Sequence, residues 1–437
     1  MNKQAISASA PATDLEGSWK IADATSVLSY SAVGYSALEK LNEELDIPVG
    51  GICNAVGGAS MSQFMGAENA TAGEYYYSKT APLTQFNVRG IMWYQGEGDR
   101  GRTAEDFTTT FNKLIRTWRA GWNDSDLPFV YATLAPSPMK YYASWTNGYI
   151  MEDSSSARLG QLQSYYENDN VAIAVSMDCP PNAGEDSLHP NNKKPVGERL
   201  ALSALDMIYN VIDNGLGPLY KSATADGNKA IIEFNHAYDG LKTTDNEAPR
   251  CFYVSESKDG PFYAAEAEIT GKNEVTLICD DISEIKYVSY AVEKHMYPYT
   301  SADDAVINTY PDVNLVNSAN LPVCPFAYEV SEIRNAKMPK PFEIMNVTLS
   351  EDGNNVNVEV TLNEAKTEKP VSVYVAFYGN DKHLVGVVSE TYTVNAAEGG
   401  KINHSVPVNG DAETAKVMIM SPDLYPYLQA IPMNLAD

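Results

Sequence analysis

The hydrophobic period of this chain changes once, near Gly217-Pro218, and the change limits what each side can fold into. Up to about residue 214, short apolar runs alternate with amphipathic segments of helical period, the pattern of an α/β layer architecture. The runs Val49 to Asn54, Val88 to Tyr94, Pro128 to Leu134 and Val171 to Met177 are nearly continuous in apolar residues, as strands buried on both faces are. Between them, Phe107, Phe111, Leu114, Ile115 and Trp118 recur at helical spacing behind Thr103, which can cap together with Asp106. Leu200, Ala204, Ile208, Val211 and Ile212 repeat that spacing, and Gly215 is expected to end the helix. Beyond Gly217-Pro218 the period falls to two. Runs such as Lys229 to Phe234, Glu274 to Cys279 and Lys286 to Ala291, separated by Gly, Asn and Asp, predict a β-sandwich. After the link Met338-Pro339-Lys340-Pro341, Val356, Val358, Val360 and then Val371, Val373, Val375 and Phe377 alternate strictly, which predicts a small immunoglobulin-like sandwich. The expected domains are residues 1–214, 215–335 and 342–437.

Length and charge narrow the function. A chain of 437 residues exceeds one ordinary core. No apolar run approaches the roughly 18 to 20 residues that span a bilayer, so no membrane span is expected. A formal charge of −26 makes a nucleic-acid backbone a poor partner, since phosphate binding needs clustered Lys and Arg. Cys53, Cys179, Cys251, Cys279 and Cys324 are dispersed without a CxxC pair, so neither a metal site nor a dense disulfide framework is indicated, and no cofactor is expected.

Three clusters carry chemistry. The first is His189, in Glu185-Asp186-Ser187-Leu188-His189-Pro190 between the fourth strand and a helix, where reactive groups of open α/β sheets gather. Asp186, three residues before, can accept the Nδ1 proton and leave Nε2 as a general base. Equally, the two could merely close a loop and cap the next helix. In the second cluster, the strand through Trp93-Tyr94 runs into Gln95-Gly96-Glu97-Gly98-Asp99 at the carboxyl edge of the sheet. The Gln95 amide could donate to an oxyanion, and the ordinary alternative is a tight turn anchored by Glu97. The third is Gly57-Gly58-Ala59-Ser60, where glycine would let a backbone N–H approach a reacting carbonyl or simply supply a positive φ.

Together these residues resemble a family. Trp93-Tyr94-Gln95-Gly96-Glu97 resembles the WYQGES-type block of sialate O-acetylesterases and their acetylxylan-esterase relatives. Ser31-Ala32-Val33-Gly34-Tyr35, Pro48-Val49-Gly50 and Gly57-Gly58 are similar to its "SAVGY...PVG...GG" stretch. Asp186 to Pro190 with Asn192, Lys193 and Gly197 resembles its D-x-x-H-P-x-N-K-x-x-x-G block. Asn314-Leu315 to Asn317 and Leu321-Pro322 to Phe326 resemble the end of its sandwich region. The resemblance extends from about Trp19 to Phe326. It implies an SGNH-hydrolase, flavodoxin-like three-layer parallel sheet followed by β-sandwich domains, and a serine esterase acting on an acetylated carbohydrate outside the cytoplasm, extracellular or periplasmic. By the same resemblance His189 is the base, Asp186 its orienter, and Gly58 and Gln95 oxyanion donors. Gly57, Glu97, Asp99 and Ser60 are further candidates; Asp99, ionised, cannot donate a hydrogen bond.

The family's serine sits in a GQSN-like block at the end of the first sheet strand, and nothing before Ser31 resembles it. The resemblance therefore leads to the expectation of a sheet without its first strand. Either the chain is truncated and weakly active, or it is a stand-alone protein without esterase activity. Ser60 and Ser62 are the nearest substitutes for the nucleophile. Met1 to Ala10 lacks the apolar core of a signal peptide, which taken literally places the chain in the cytoplasm. A different class also fits: a carbohydrate-binding or adhesion protein with a degenerate hydrolase domain, its 28 tyrosines against 11 phenylalanines offering faces for sugars, though core and rim packing explains them as well.

Overall fold

The structure is a computed structural model. It describes residues 10–12, 17–67, 72–136, 139–143, 149–152, 154–181, 189–296, 306–307, 311–335, 342–362, 370–380, 382–393, 401–420 and 431–435. The link Met338 to Pro341 lies outside them, as does Asp186.

Three of the apolar runs form one parallel sheet. Strands β1 (Ile91–Trp93), β2 (Phe129–Ala132) and β5 (Val171–Ala174) lie in the order β1-β2-β5, with Trp93 beside Tyr131 and Tyr131 beside Ile173. Side-chain alternation makes the layers. Phe129, Tyr131, Val171 and Ile173 pack with Phe111, Trp118, Leu162 and Tyr165 of α2 (Ala104–Trp122) and α3 (Ser155–Glu167), on one face. Val130, Ala132, Ala172 and Ala174 pack on the other with Val33, Ala37 and Leu41 of α1 (Ala32–Leu45) and Leu200 and Ala201 of α4 (Lys194–Ala204). Buried on both faces, these strands have no room for a polar alternation, which is why they read as continuous apolar runs.

Local sequence sets the helix ends. Thr103 accepts the Asp106 N–H at 3.1 Å to cap α2, and Ser31 accepts the Gly34 N–H at 3.1 Å to cap α1. Two expectations need correction. Helix α4 widens into a π turn over Leu205–Tyr209 and stops at Asn210, in the left-handed conformation at φ 55°, ahead of Gly215. Val49 to Asn54 is irregular and joins no ladder among the described residues. A strand exists by virtue of its neighbour, and here Asn54 Nδ2 bonds the Thr80 hydroxyl at 3.0 Å instead.

The middle region is a sandwich of two four-stranded antiparallel sheets. One contains the strands Lys229–Asn235 and Glu274–Ile278, the other the strands Phe252–Ser255 and Tyr287–Tyr290. Ile232, Phe234, Val275 and Leu277 share one continuous core with Val254, Val288, Phe326 and the α2–α3 face of the parallel sheet. The last region has its own core, in which every alternating Val from 356 to 375 is buried together with Phe377. It touches the first region where Lys416 Nζ meets Asp46 Oδ2 at 2.7 Å, beyond the end of α1.

Candidate active site

Three loops meet at the carboxyl rim of the parallel sheet. The first turns at Gly58, whose φ of 74° disfavours most L side chains although a Cβ there would meet nothing within 4 Å, so its Cα side is open. The second leaves β1 through Gln95 to Asp99. Gln95 Nε2 donates to Ala59 O at 2.9 Å and to Asp99 Oδ2 at 2.8 Å, tying the two loops together. Asp99, 3% exposed, also accepts the Met61 N–H at 2.8 Å and Arg102 Nε at 3.2 Å. The third loop brings His189, whose Nε2 lies 3.7 Å from Glu97 Oε1. His189 is 59% exposed and Glu97 19%. That separation is too long for a hydrogen bond and short enough to attract an imidazolium.

This geometry redefines some of the sequence-derived roles. A glutamine amide has two hydrogens, and Gln95 spends both inside the rim, so as placed it has none for an oxyanion; its Oε1 is buried without a hydrogen-bond partner among the described residues. Asp99 acts as a buried acceptor that braces the loops. Ser60 Oγ shares a hydrogen bond with Ser62 Oγ at 2.8 Å, and the Ser60 N–H donates to Gln63 Oε1 at 2.9 Å, so both serines belong to the turn they begin. Gly57 lies beside Gly58, with the same open space before it.

The segment after His189 is built by the residues of its sequence block. Asn192 Oδ1 accepts the Lys194 N–H at 3.2 Å, and Lys193 Nζ bonds Pro190 O at 2.8 Å. A Cβ on Gly197 would lie 2.4 Å from Val33 O, so glycine lets α4 press on α1. Sequence reasoning missed Arg199, which grips Asp178 with Nη1 to Oδ1 at 2.5 Å and Nη2 to Oδ2 at 2.7 Å. The fork joins the start of the loop after β5 to the helix after His189, closing the loop at its base. Its only signal was an arginine in an otherwise apolar helical stripe. Burial, helped by Asp178, pushes the neighbouring Cys179 thiol up to about 11, which keeps it protonated and unreactive at neutral pH. Among the described residues no cluster of three or more His, Cys, Asp or Glu is arranged to hold a metal ion.

Comparison with known proteins bears on the same residues. Residues 18–206 match the family model described as carbohydrate esterase, sialic acid-specific acetylesterase. These residues belong to that family. Mouse sialate O-acetylesterase is 24% identical over 272 residues, covering 57% of this chain and 46% of the mouse protein. The human sialate O-acetylesterase is 28% identical over 137 residues, covering 29% of this chain and 26% of the human one. The chain thus spans about half or less of the length of these relatives. A crystal structure of a carbohydrate acetylesterase from Xanthomonas citri superposes with a TM-score of 0.61 at 27% identity, over 74% of this chain and 71% of that one. The acetylesterase family match contains Gly58, Gln95, Glu97, Asp99, Asp186 and His189. Among the described residues no helix is long and apolar enough to cross a membrane.

Proposed function

We propose that this protein removes acetyl groups from sugar hydroxyls by serine acyl transfer at the rim formed by the three loops, acting outside the cytoplasm on an acetylated carbohydrate. The observation that carries the reading is the convergence of the three loops, His189 lying 3.7 Å from Glu97 and the neighbouring Gln95 bonding Ala59 O of the Gly57-Gly58-Ala59 turn at 2.9 Å, within a family of acetylesterases. In serine acyl transfer the base takes the proton of the attacking hydroxyl, a role that His189 Nε2 fills with Asp186 orienting the ring and Glu97 attracting the imidazolium; where no serine is presented, water attacks instead, His189 takes its proton, and the imidazolium returns a proton to the departing sugar oxygen. The Gly58 N–H, in a turn whose Cα side is open, is the backbone donor for the oxyanion. Gln95 and Asp99 hold that backbone in place.

Ser60 and Ser62 are bonded to each other and lie in a turn, so neither is presented as a nucleophile and residues 1–437 are expected to release acetate slowly. The test is acetate release from O-acetylated sialic acid, acetylated xylan and p-nitrophenyl acetate, with His189→Ala and Ser60→Ala alongside. Slow release that falls further in His189→Ala is the expected result. Fast turnover abolished by His189→Ala and Ser60→Ala would move the nucleophile to Ser60. Turnover indifferent to His189→Ala, or glycan binding without hydrolysis and unchanged in that variant, would remove the chemistry from this rim.

A further inference from the structure

Segments from beyond the change of period meet the chain after β2 at two points. The strand Val306–Ile307 extends the hairpin of β3 (Met139–Ala143) and β4 (Tyr149–Glu152), pairing Val306 with Lys140 and Ile307 with Met139. The stretch between β2 and α3 thus carries a hairpin completed by a segment from beyond the change of period. The second point is Glu293, which opens the short helix α5 (Glu293–Met296). Its carboxylate pairs with Arg158 of α3, and the two side chains are 1% and 0% exposed. Ser155 donates to the other carboxylate oxygen and accepts the Glu293 N–H at 3.1 Å.

Arg158 passes that connection on. Its Nη1 donates to Ala135 O at 3.1 Å, where the chain leaves β2. One turn along α3, Gln161 Oε1 accepts the Leu134 N–H at 3.1 Å, while its Nε2 donates to Ala132 O at 3.1 Å and reaches Gln95 O at 3.4 Å. A path of named bonds therefore runs from Glu293 to the residue that ties the Gly58 loop to the Asp99 loop. The carbonyls around Arg158 supply dipoles but no counter-charge, and a guanidinium withdrawn from water needs a charge of opposite sign to stay buried. Glu293 supplies it.

We propose that Glu293 is a positioning residue of the esterase site: as the counter-charge of Arg158, it fixes the backbone at 134–135 and, through Gln161, at Gln95. The word esterase here rests on the function proposed above; the positioning rests on the bonds alone. The test is amide hydrogen exchange on the full chain, comparing unaltered protein with Glu293→Gln and Glu293→Asp, with acetate release measured alongside. Glu293→Gln keeps the shape and removes the charge. It is expected to raise exchange at Leu134 and across 95–99 about tenfold, to leave Phe129 and Val373 unchanged, and to lower kcat with KM held. Glu293→Asp, which keeps the charge, recovers part of the protection. Exchange that rises uniformly through residues 72–335, or not at all at Leu134, would overturn the proposal by reducing Glu293 to a general stabiliser. Should Glu293→Gln fail to fold, Ser155→Ala carries the same comparison with a smaller local effect. Absence of His189-dependent acetate release in the unaltered chain counts against the esterase reading, and the exchange pattern still decides the role of Glu293.

Discussion

Single residues in the rim have separable duties, and substitution can tell them apart. An oxyanion donor lost from an otherwise intact site costs about 100- to 1,000-fold in kcat. A loop tie lost from the same place costs stability instead, about 0.5 to 1.5 kcal/mol for a neutral hydrogen bond. Gln95 donates to Ala59 O and Asp99 Oδ2, so Gln95→Ala is expected to show the second pattern, a lower urea midpoint with a modest change in turnover. A loss of 100-fold or more in kcat at unchanged stability would restore it as the donor. Asp99 should be the costlier position. It accepts from Met61, Gln95 and Arg102 while almost fully buried, and an amide in its place would point hydrogens at donors. Asp99→Asn is therefore expected to lose about 2 to 4 kcal/mol in urea denaturation, since bonds to a charged acceptor exceed neutral ones. Its carboxylate character was legible in the sequence only as an inability to donate. That it braces two loops was not, because its partners at 61 and 102 lie on either side of the Gln95 strand with no motif linking them.

At the scale of elements, the period of apolar residues identified α2, α4 and the three strands of the parallel sheet, because burial on one face or on both leaves its mark directly in the order of residues, whereas α1 and α3 were not singled out. The failure at Val49 to Asn54 has a physical cause: apolar content records burial, whereas a strand also needs a neighbour for its N–H and C=O groups. The end of α4 was misread for a similar reason. Asn210 takes the left-handed conformation that glycine usually supplies, and an asparagine is a weaker punctuation mark. Motif glycines were legible as motif but not as mechanics. Gly197 lies where α4 crosses α1, and a methyl group 2.4 Å from Val33 O meets backbone that cannot swing aside. Gly197→Ala is expected to destabilise by about 1 to 3 kcal/mol and to displace α4 with the His189 loop ahead of it. Thermal unfolding measures the first effect and loss of any His189-dependent acetate release the second. A variant as stable as the parent would mean that the two helices separate without cost. Arg199→Ala tests the base of the same loop: opening the fork to Asp178 is expected to lower His189-dependent turnover at least tenfold, as misplacement of a general base does.

For the molecule as a whole, the hydrophobic core does not respect the change of period at Gly217-Pro218, since side chains from both regions share one cluster. The sequence marks the boundary because helices give way to strands there; it hides the fusion because contact between distant segments leaves no local pattern. Asp206 sits on that seam. Its Oδ2 accepts the Gly215 N–H at 2.7 Å and lies 3.4 Å from the Tyr238 hydroxyl, which itself accepts the Leu216 N–H at 3.1 Å. Burial raises its carboxyl to about 6, against the opposing influence of those two bonds. A carboxyl raised in the folded state binds its proton more tightly there than in the unfolded chain, so folding is favoured where both forms are protonated. That contribution is complete below about pH 4 and is lost as pH rises through about 6. At pH 7 the ionised group then costs roughly 1 to 3 kcal/mol relative to a neutral one of the same shape. Asparagine is that group, able to accept from Gly215 through its oxygen. Asp206→Asn is therefore expected to unfold at higher urea than the parent at pH 7.5, with the advantage shrinking to nothing near pH 4. Cooperative unfolding of residues on both sides of the seam should persist in both proteins, because the shared core is untouched. A variant less stable than the parent at pH 7.5 would show that the bonds from Gly215 and Tyr238 outweigh the cost of burying the charge, and that the seam is held by an ionised Asp206.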